Sequence, residues 1–162
     1  MTWIYKGKPV EEIDEKYTGF VYIITNLVSG KAYIGKKLSK FSKTTTKTVT
    51  LKNGNKKKKK IRSKIDSDWK TYWSSSKEVQ DDVKALGEDK FTREILMFCL
   101  SKGTASYFEA KYQMQNEVLE HPDKWYNGIV NCRVHRSQIG RAHVWTPVTV
   151  NNLVCRLLLE KK

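Results

Sequence analysis

The chain lacks most of the features that would place it among secreted, membrane or zinc-binding proteins. Its three cysteines, Cys99, Cys132 and Cys155, share no CxxC spacing and are odd in number. That excludes an ordinary disulfide framework or zinc site and predicts buried free thiols. No stretch approaches the roughly 20 consecutive apolar residues of a membrane span. The opening Met1-Thr2-Trp3-Ile4-Tyr5-Lys6 is not a basic run followed by an apolar block, so no secretory signal is read and a cytoplasmic location is expected. No internal repeat is evident. Ser74-Ser75-Ser76 has no histidine and acid to accompany it and is expected to start a helix, not to supply a nucleophile. His121 and His135 fit no ligand pattern and are expected at the surface.

Acidic residues are the other shortage. Lys+Arg number 31 against 17 Asp+Glu, a net charge of +14. A surplus of that size favours a polyanionic partner. Ribosomal, chromatin and RNA-binding proteins share the property, so charge alone defines no activity. With 162 residues, 39% of them hydrophobic, a single domain with one modest core is expected.

The last stretch reads differently from the rest. Ile139-Gly140-Arg141-Ala142-His143-Val144 is what ATC GGA AGA GCA CAC GTC encodes, which resembles a sequencing adapter codon for codon. Trp145 stands at the adapter's TGA, Thr146-Pro147-Val148-Thr149 follow, and Leu153 to Lys161 continue in the same frame after a short variable index. Residues 138–162 are therefore expected to be a non-native tail. The alternative is a short amphipathic helix around Leu153–Glu160. Setting aside its Arg141, Arg156, Lys161, Lys162 and Glu160 leaves 27 basic against 16 acidic residues, or +11, so the basic character does not depend on the tail.

Within residues 1–137 the pattern alternates between strand and helix signals. Trp3 to Lys8 alternates bulky and polar residues, and residues 1–17 are expected to form an N-terminal extension or small hairpin. Phe20-Val21-Tyr22-Ile23-Ile24-Thr25 is rich in β-branched and aromatic residues, and Lys31-Ala32-Tyr33-Ile34-Gly35 reads as its returning strand across the turn Asn26–Gly30. Residues 38–64 form a basic insertion. A threonine-rich run (Thr44, Thr45, Thr46, Thr48, Thr50) leads to Asn53-Gly54 and five consecutive lysines, Lys56 to Lys60. Asn-Gly between such runs signals a hairpin, whereas the like-charge block favours a mobile solvated loop; a nucleic-acid-binding arm is the functional expectation. Val79, Val83 and Leu86 fall at helical spacing until Gly87, Phe91–Leu100 reads as a central strand, and a second helix is expected from about Thr104 towards His121-Pro122. The expected class is α/β (α+β): a small three-stranded antiparallel sheet flanked by helices, in the order β-β-α-β-α.

Tyr22 and Tyr33 stand 11 residues apart on neighbouring strands, where matched side-chain direction brings two phenols to one face. Val21-Tyr22-Ile23 and Tyr33-Ile34-Gly35 at this separation resemble the paired motifs of the GIY-YIG endonucleases. Gly19-Phe20-Val21-Tyr22 departs slightly from the usual Gly-Ile-Tyr. Glu109 followed by Tyr112, and Tyr126-Asn127 further on, match the family's metal-binding glutamate and later asparagine in order. The chain is most similar to phage-encoded endonucleases of this family, on Tyr33-Ile34-Gly35-Lys36-Lys37, the basic insertion, Asp68-Trp69-Lys70-Thr71-Tyr72 and Asn131-Cys132-Arg133-Val134. The resemblance spans residues 18–136, and it is compatible with a homing, restriction or host-DNA-degrading role.

The resemblance implies a hydrolase that cuts double-stranded DNA with Mg2+ or Mn2+ held by Glu109 and needs no small-molecule cofactor and no membrane. One carboxylate suffices for magnesium, which keeps several waters and takes the substrate phosphate as a further ligand. Tyr22 is expected as the general base, with Tyr33 positioning it. A phenol's ordinary pKa of about 10 leaves roughly a thousandth ionised at neutral pH, so neighbouring charge must favour the phenolate. The family's phosphate-binding arginine has no counterpart around Trp69. Lys36 and Lys70 are the candidate replacements, although lysine lacks arginine's bidentate fork. With Asn127 they complete the expected catalytic set, and Lys37, Lys56, Lys57, Lys58, Lys59, Lys60, Arg62 and Lys64 are expected to bind DNA. The alternative is a basic nucleic-acid-binding module on the same fold that does not cut.

Overall fold

The computed structural model describes residues 2–50 and 56–135, without the side chains of residues 42 and 64. The expected Asn53-Gly54 turn and the adapter-like tail lie outside the described residues, as does Cys155. No helix among the described residues is long and apolar enough to cross a membrane.

The main sheet has five strands among the described residues. β3 (Gly19–Asn26) sits between β4 (Ala32–Leu38) and β7 (Phe91–Cys99), antiparallel to both. β1 (Trp3–Tyr5) adds to the far side of β7 in parallel, and β2 (Lys8–Val10) closes that edge as a hairpin with β1. The expected small three-stranded antiparallel sheet in β-β-α-β-α order is thus corrected: the sheet is mixed, five-stranded, and strands outweigh the two helices.

The physical reason lies in Trp3. Its indole is 1% exposed, packs edge-on at 5.2 Å against both Phe20 and Tyr22, and donates from Nε1 to the Trp69 carbonyl at 2.7 Å. Burying an indole that has a partner for its N–H is strongly favourable. It draws the N-terminal hairpin onto the β7 edge. Lys6 (φ 51) and Gly7 (φ 78) make the tight turn that this requires.

Among the described residues two α-helices cover the sheet. α1 (Lys77–Leu86) lays Val79 and Val83 on a cluster with Phe20, Tyr22, Ile24, Trp69, Phe91 and Ile95. α2 (Lys102–Gln115) begins at Ser101, whose side chain accepts from the Thr104 N–H at 3.1 Å. Its Ala105 and Tyr112 pack on the opposite face with Val21, Ile34, Met97 and Cys99. Burial on both faces explains why β3 runs apolar from Phe20 to Ile24 instead of alternating. Cys99 is buried, which pushes its thiol pKa up to about 12, whereas Cys132 is exposed against expectation.

β5 (Lys40–Thr50) and β6 (Lys56–Asp66) form a separate two-stranded antiparallel ribbon that follows directly from β4. Residues 66–76 return from it to α1. Arg93 on β7 fixes this return: its guanidinium lies 4.4 Å from the Trp73 ring and 4.9 Å from the Trp3 ring, and Nη1 donates to the carbonyls of Lys70 and Tyr72 at 3.3 and 3.1 Å.

Candidate active site

The β3–β4 hairpin places Tyr22 directly opposite Gly35 and Tyr33 opposite Ile24. Both tyrosines therefore project to the α1 side of the sheet, with ring centroids 6.2 Å apart. Gly35 makes the arrangement possible. A Cβ there would stand 2.6 Å from the Tyr22 hydroxyl and 2.7 Å from Tyr33 Cε1, well inside contact distance. Both rings fold over a backbone that has no side chain.

The two phenols differ in environment. Tyr22 is fully buried, and its hydroxyl has no hydrogen-bond partner of proper geometry. Tyr72 acts on it electrostatically, its ring centroid 6.2 Å from that of Tyr22. Burial, followed by the nearby Tyr72 and Tyr33, holds the Tyr22 pKa well above the ordinary phenol value. Tyr33 instead reaches the surface and pairs with Ser75 Oγ at 3.1 Å. Of the two phenols expected to act together, with Tyr22 as base and Tyr33 positioning it, Tyr33 is the more accessible.

β4 is the outer strand on this side, and a cavity of about 380 Å³ lies across its edge. Tyr33, Ser75 and Ser76 line it from one face, Lys36, Glu109 and Gln113 from the other, and residues 126–129 close it. Glu109 projects from α2 with its side chain 14% exposed, and its Oε2 accepts a hydrogen bond from Lys36 Nζ. Oε1 has no protein hydrogen bond among the described residues. No group of three or more His, Cys, Asp or Glu side chains suited to a metal occurs among the described residues, and Glu109 is the one carboxylate among the described residues lining this cavity.

Asn127 acts on the backbone of β4. Its Oδ1 accepts from the Ile34 N–H at 2.9 Å, and its Nδ2 donates to the Ile34 carbonyl at 2.7 Å. The carboxamide thereby replaces the peptide of a missing neighbour strand. Gln113 Nε2 adds a second donor to the same carbonyl at 2.9 Å. Two residues earlier on β4, Ala32 exchanges backbone bonds with Lys124 and Tyr126. Tyr126 is anchored in turn by donating to Asp82 Oδ2 at 2.7 Å and accepting from Asn26 Nδ2 at 3.0 Å.

The other expected site residues fall elsewhere. Lys37 is 9% exposed, bonded to Asp68 Oδ1 at 2.6 Å, and sits 3.6 Å over the Tyr72 ring. The hydrogen bond from Lys37 holds the Asp68 carboxyl below its usual pKa. Lys70 lines a different cleft, of about 360 Å³, with Trp3 and Glu11, so it is not brought to Glu109. Lys56, Lys57, Lys58, Lys59, Lys60 and Arg62 are exposed on the ribbon, and Lys64 belongs to the same strand with its side chain outside the described residues. Sequence reasoning missed Gln113, Ser75 and Arg93. Gln113 was recoverable, because it stands one helical turn after Glu109 on the same face. Arg93 had no such signal, since its partners are carbonyls of a distant loop.

Residues 3–130 match the family model described as "Putative endonuclease segE, GIY-YIG domain". The match covers most of the chain, and the chain belongs to the GIY-YIG endonuclease family. Membership places it among nucleases, with nucleic acid as substrate. No curated protein and no solved structure matches it.

Proposed function

We propose that the chain is an endonuclease that hydrolyses phosphodiester bonds of double-stranded DNA with Mg2+ or Mn2+ at Glu109. The observation that carries this reading is the meeting of Tyr33, Lys36 and Glu109 in one open cavity at the β4 edge.

The residues fit a hard divalent cation. The cavity offers one carboxylate, hydroxyls and carboxamides, and neither thiol nor imidazole lines it, a donor set that suits magnesium or manganese with most waters retained. Glu109 Oε1 is the oxygen left for it. A bound ion would stabilise the charge that develops on the phosphoryl and leaving oxygens. Tyr33, oriented by Ser75 and having first lost its own proton to solvent, would as the phenolate take a proton from the attacking water. Lys36 supplies positive charge beside the phosphate, in the role the family gives to arginine. Asn127 and Gln113 do not touch substrate in this scheme. They hold Ile34, and through it the strand that carries Tyr33 and Lys36.

One observation favours the non-cutting alternative: among the described residues no arginine lines the cavity. Supercoiled plasmid separates the two readings. With magnesium or manganese the plasmid is expected to become nicked or linear, and with chelator to stay supercoiled while still being bound. Binding without conversion under any divalent cation would support the non-cutting module.

A further inference from the structure

The β5–β6 ribbon has two chemically different faces. Residues paired across it share parity, from Lys40↔Asp66 to Thr50↔Lys56, so every pair projects to one side. One face carries Thr44 beside Arg62, Thr46 beside Lys60 and Thr48 beside Lys58, threonines along one strand and cations along the other. The opposite face carries Phe41, Val49, Ile61 and Ile65, all exposed, interspersed with Lys43, Lys47, Lys57 and Lys59. On that face Lys47 stands directly opposite Lys59, a like-charge pair that destabilises a ribbon in water. An isolated two-stranded hairpin is marginal already. A polyanion lying along the ribbon removes the repulsion.

The dimensions fit one kind of polyanion. Each strand has 11 residues, which at ~3.4 Å per residue span roughly 35 Å, about one turn of B-DNA. The major groove of B-DNA, about 12 Å wide, admits a two-stranded ribbon, whereas the A-form RNA major groove is too deep and narrow to be read. Threonine hydroxyls and methyls, lysine and arginine are side chains that contact base edges there.

We propose that the ribbon inserts into the major groove of duplex DNA beside the cleavage site, with the Thr44–Thr46–Thr48 and Lys58–Lys60–Arg62 face towards the base edges. The ribbon is then a sequence reader and not only an electrostatic arm. The lysines of the opposite face reach outward to flanking phosphates. This rests on duplex DNA being the substrate, but not on cleavage.

Dimethyl sulfate footprinting of the full chain on duplex DNA in chelator tests it, because the reagent methylates guanine N7 in the major groove and adenine N3 in the minor groove. Bound protein is expected to protect guanine N7 over about one turn and to leave adenine N3 reactive. A variant with Thr44→Val, Thr46→Val, Thr48→Val and Arg62→Gln keeps strand-forming residues. It should lose N7 protection while its affinity falls no more than about tenfold, since most phosphate contacts persist. A variant with Lys43, Lys47, Lys57 and Lys59 changed to Gln should keep N7 protection at saturation. Its log-affinity against log-salt slope should flatten by about 0.9 for each phosphate it no longer neutralises. Unprotected N7, protection unchanged in the threonine–arginine variant, or equal affinity for duplex RNA would overturn the proposal. Protection of N7 by a protein that cuts no plasmid would uphold it and sink the nuclease reading instead.

Discussion

Gly35 has no side chain, and two tyrosines occupy the space that one would take. That single absence lets Tyr22 pack into the core while Tyr33, on the same face, tips towards the strand edge. The pairing of the two phenols was legible from strand alternation and from the family motif. Their difference in burial was not, because it depends on where α1 and the 66–76 segment cover the sheet, and spacing along β3 and β4 carries no such information. The test at this scale compares two hydroxyl deletions. Tyr33→Phe should lower DNA cleavage by about 100-fold or more, the scale of losing a positioned acid–base group. Tyr22→Phe should leave cleavage within a few-fold. By removing a buried, unpartnered hydroxyl it should also hold stability or raise it by ~1 kcal/mol in denaturant unfolding. The opposite pattern of activities would return the base to Tyr22.

At the scale of elements, the outer strand β4 is completed by groups that are not a strand. Residues 124–126 bond Ala32, and the Asn127 carboxamide bonds Ile34 on both its N–H and its carbonyl. Asn127→Ala would leave both Ile34 groups without that partner, at a cost of about 1–3 kcal/mol. The Ile34 amide should then exchange faster with deuterium, and kcat should fall with little change in DNA affinity. Asn127→Asp keeps the acceptor for the Ile34 N–H but loses the donor to its carbonyl, and should be intermediate in amide exchange. Unaltered exchange at Ile34 in the alanine variant would remove this role. The place of Asn127 after α2 was legible in the sequence; its two bonds to the Ile34 backbone were not. The N-terminal hairpin was only half legible. Alternation in Trp3 to Lys8 suggested it, but strands of three residues are too short to declare a partner, and the parallel pairing with β7 is decided by where the Trp3 indole is buried. The threonine and lysine runs of the insertion declared their hairpin more openly, because each is long and the signal is local.

For the molecule as a whole, the charge surplus and the cavity are separate parts of one arrangement. The ribbon leaves the sheet at the end of β4, the strand that also carries Tyr33 and Lys36, so a duplex held along the ribbon is tethered next to the cavity. Net charge was legible at once, whereas the concentration of charge on one projecting element required the strand pairing. If Glu109 holds the metal for cleavage while other residues hold the DNA, Glu109→Gln separates the two functions, measured as plasmid cleavage with magnesium and duplex binding in chelator. Cleavage should be abolished, and binding should be unchanged or tighter, since a neutral side chain repels phosphate less. Cleavage at the wild-type rate at any magnesium concentration would show that Glu109 does not hold a catalytic metal.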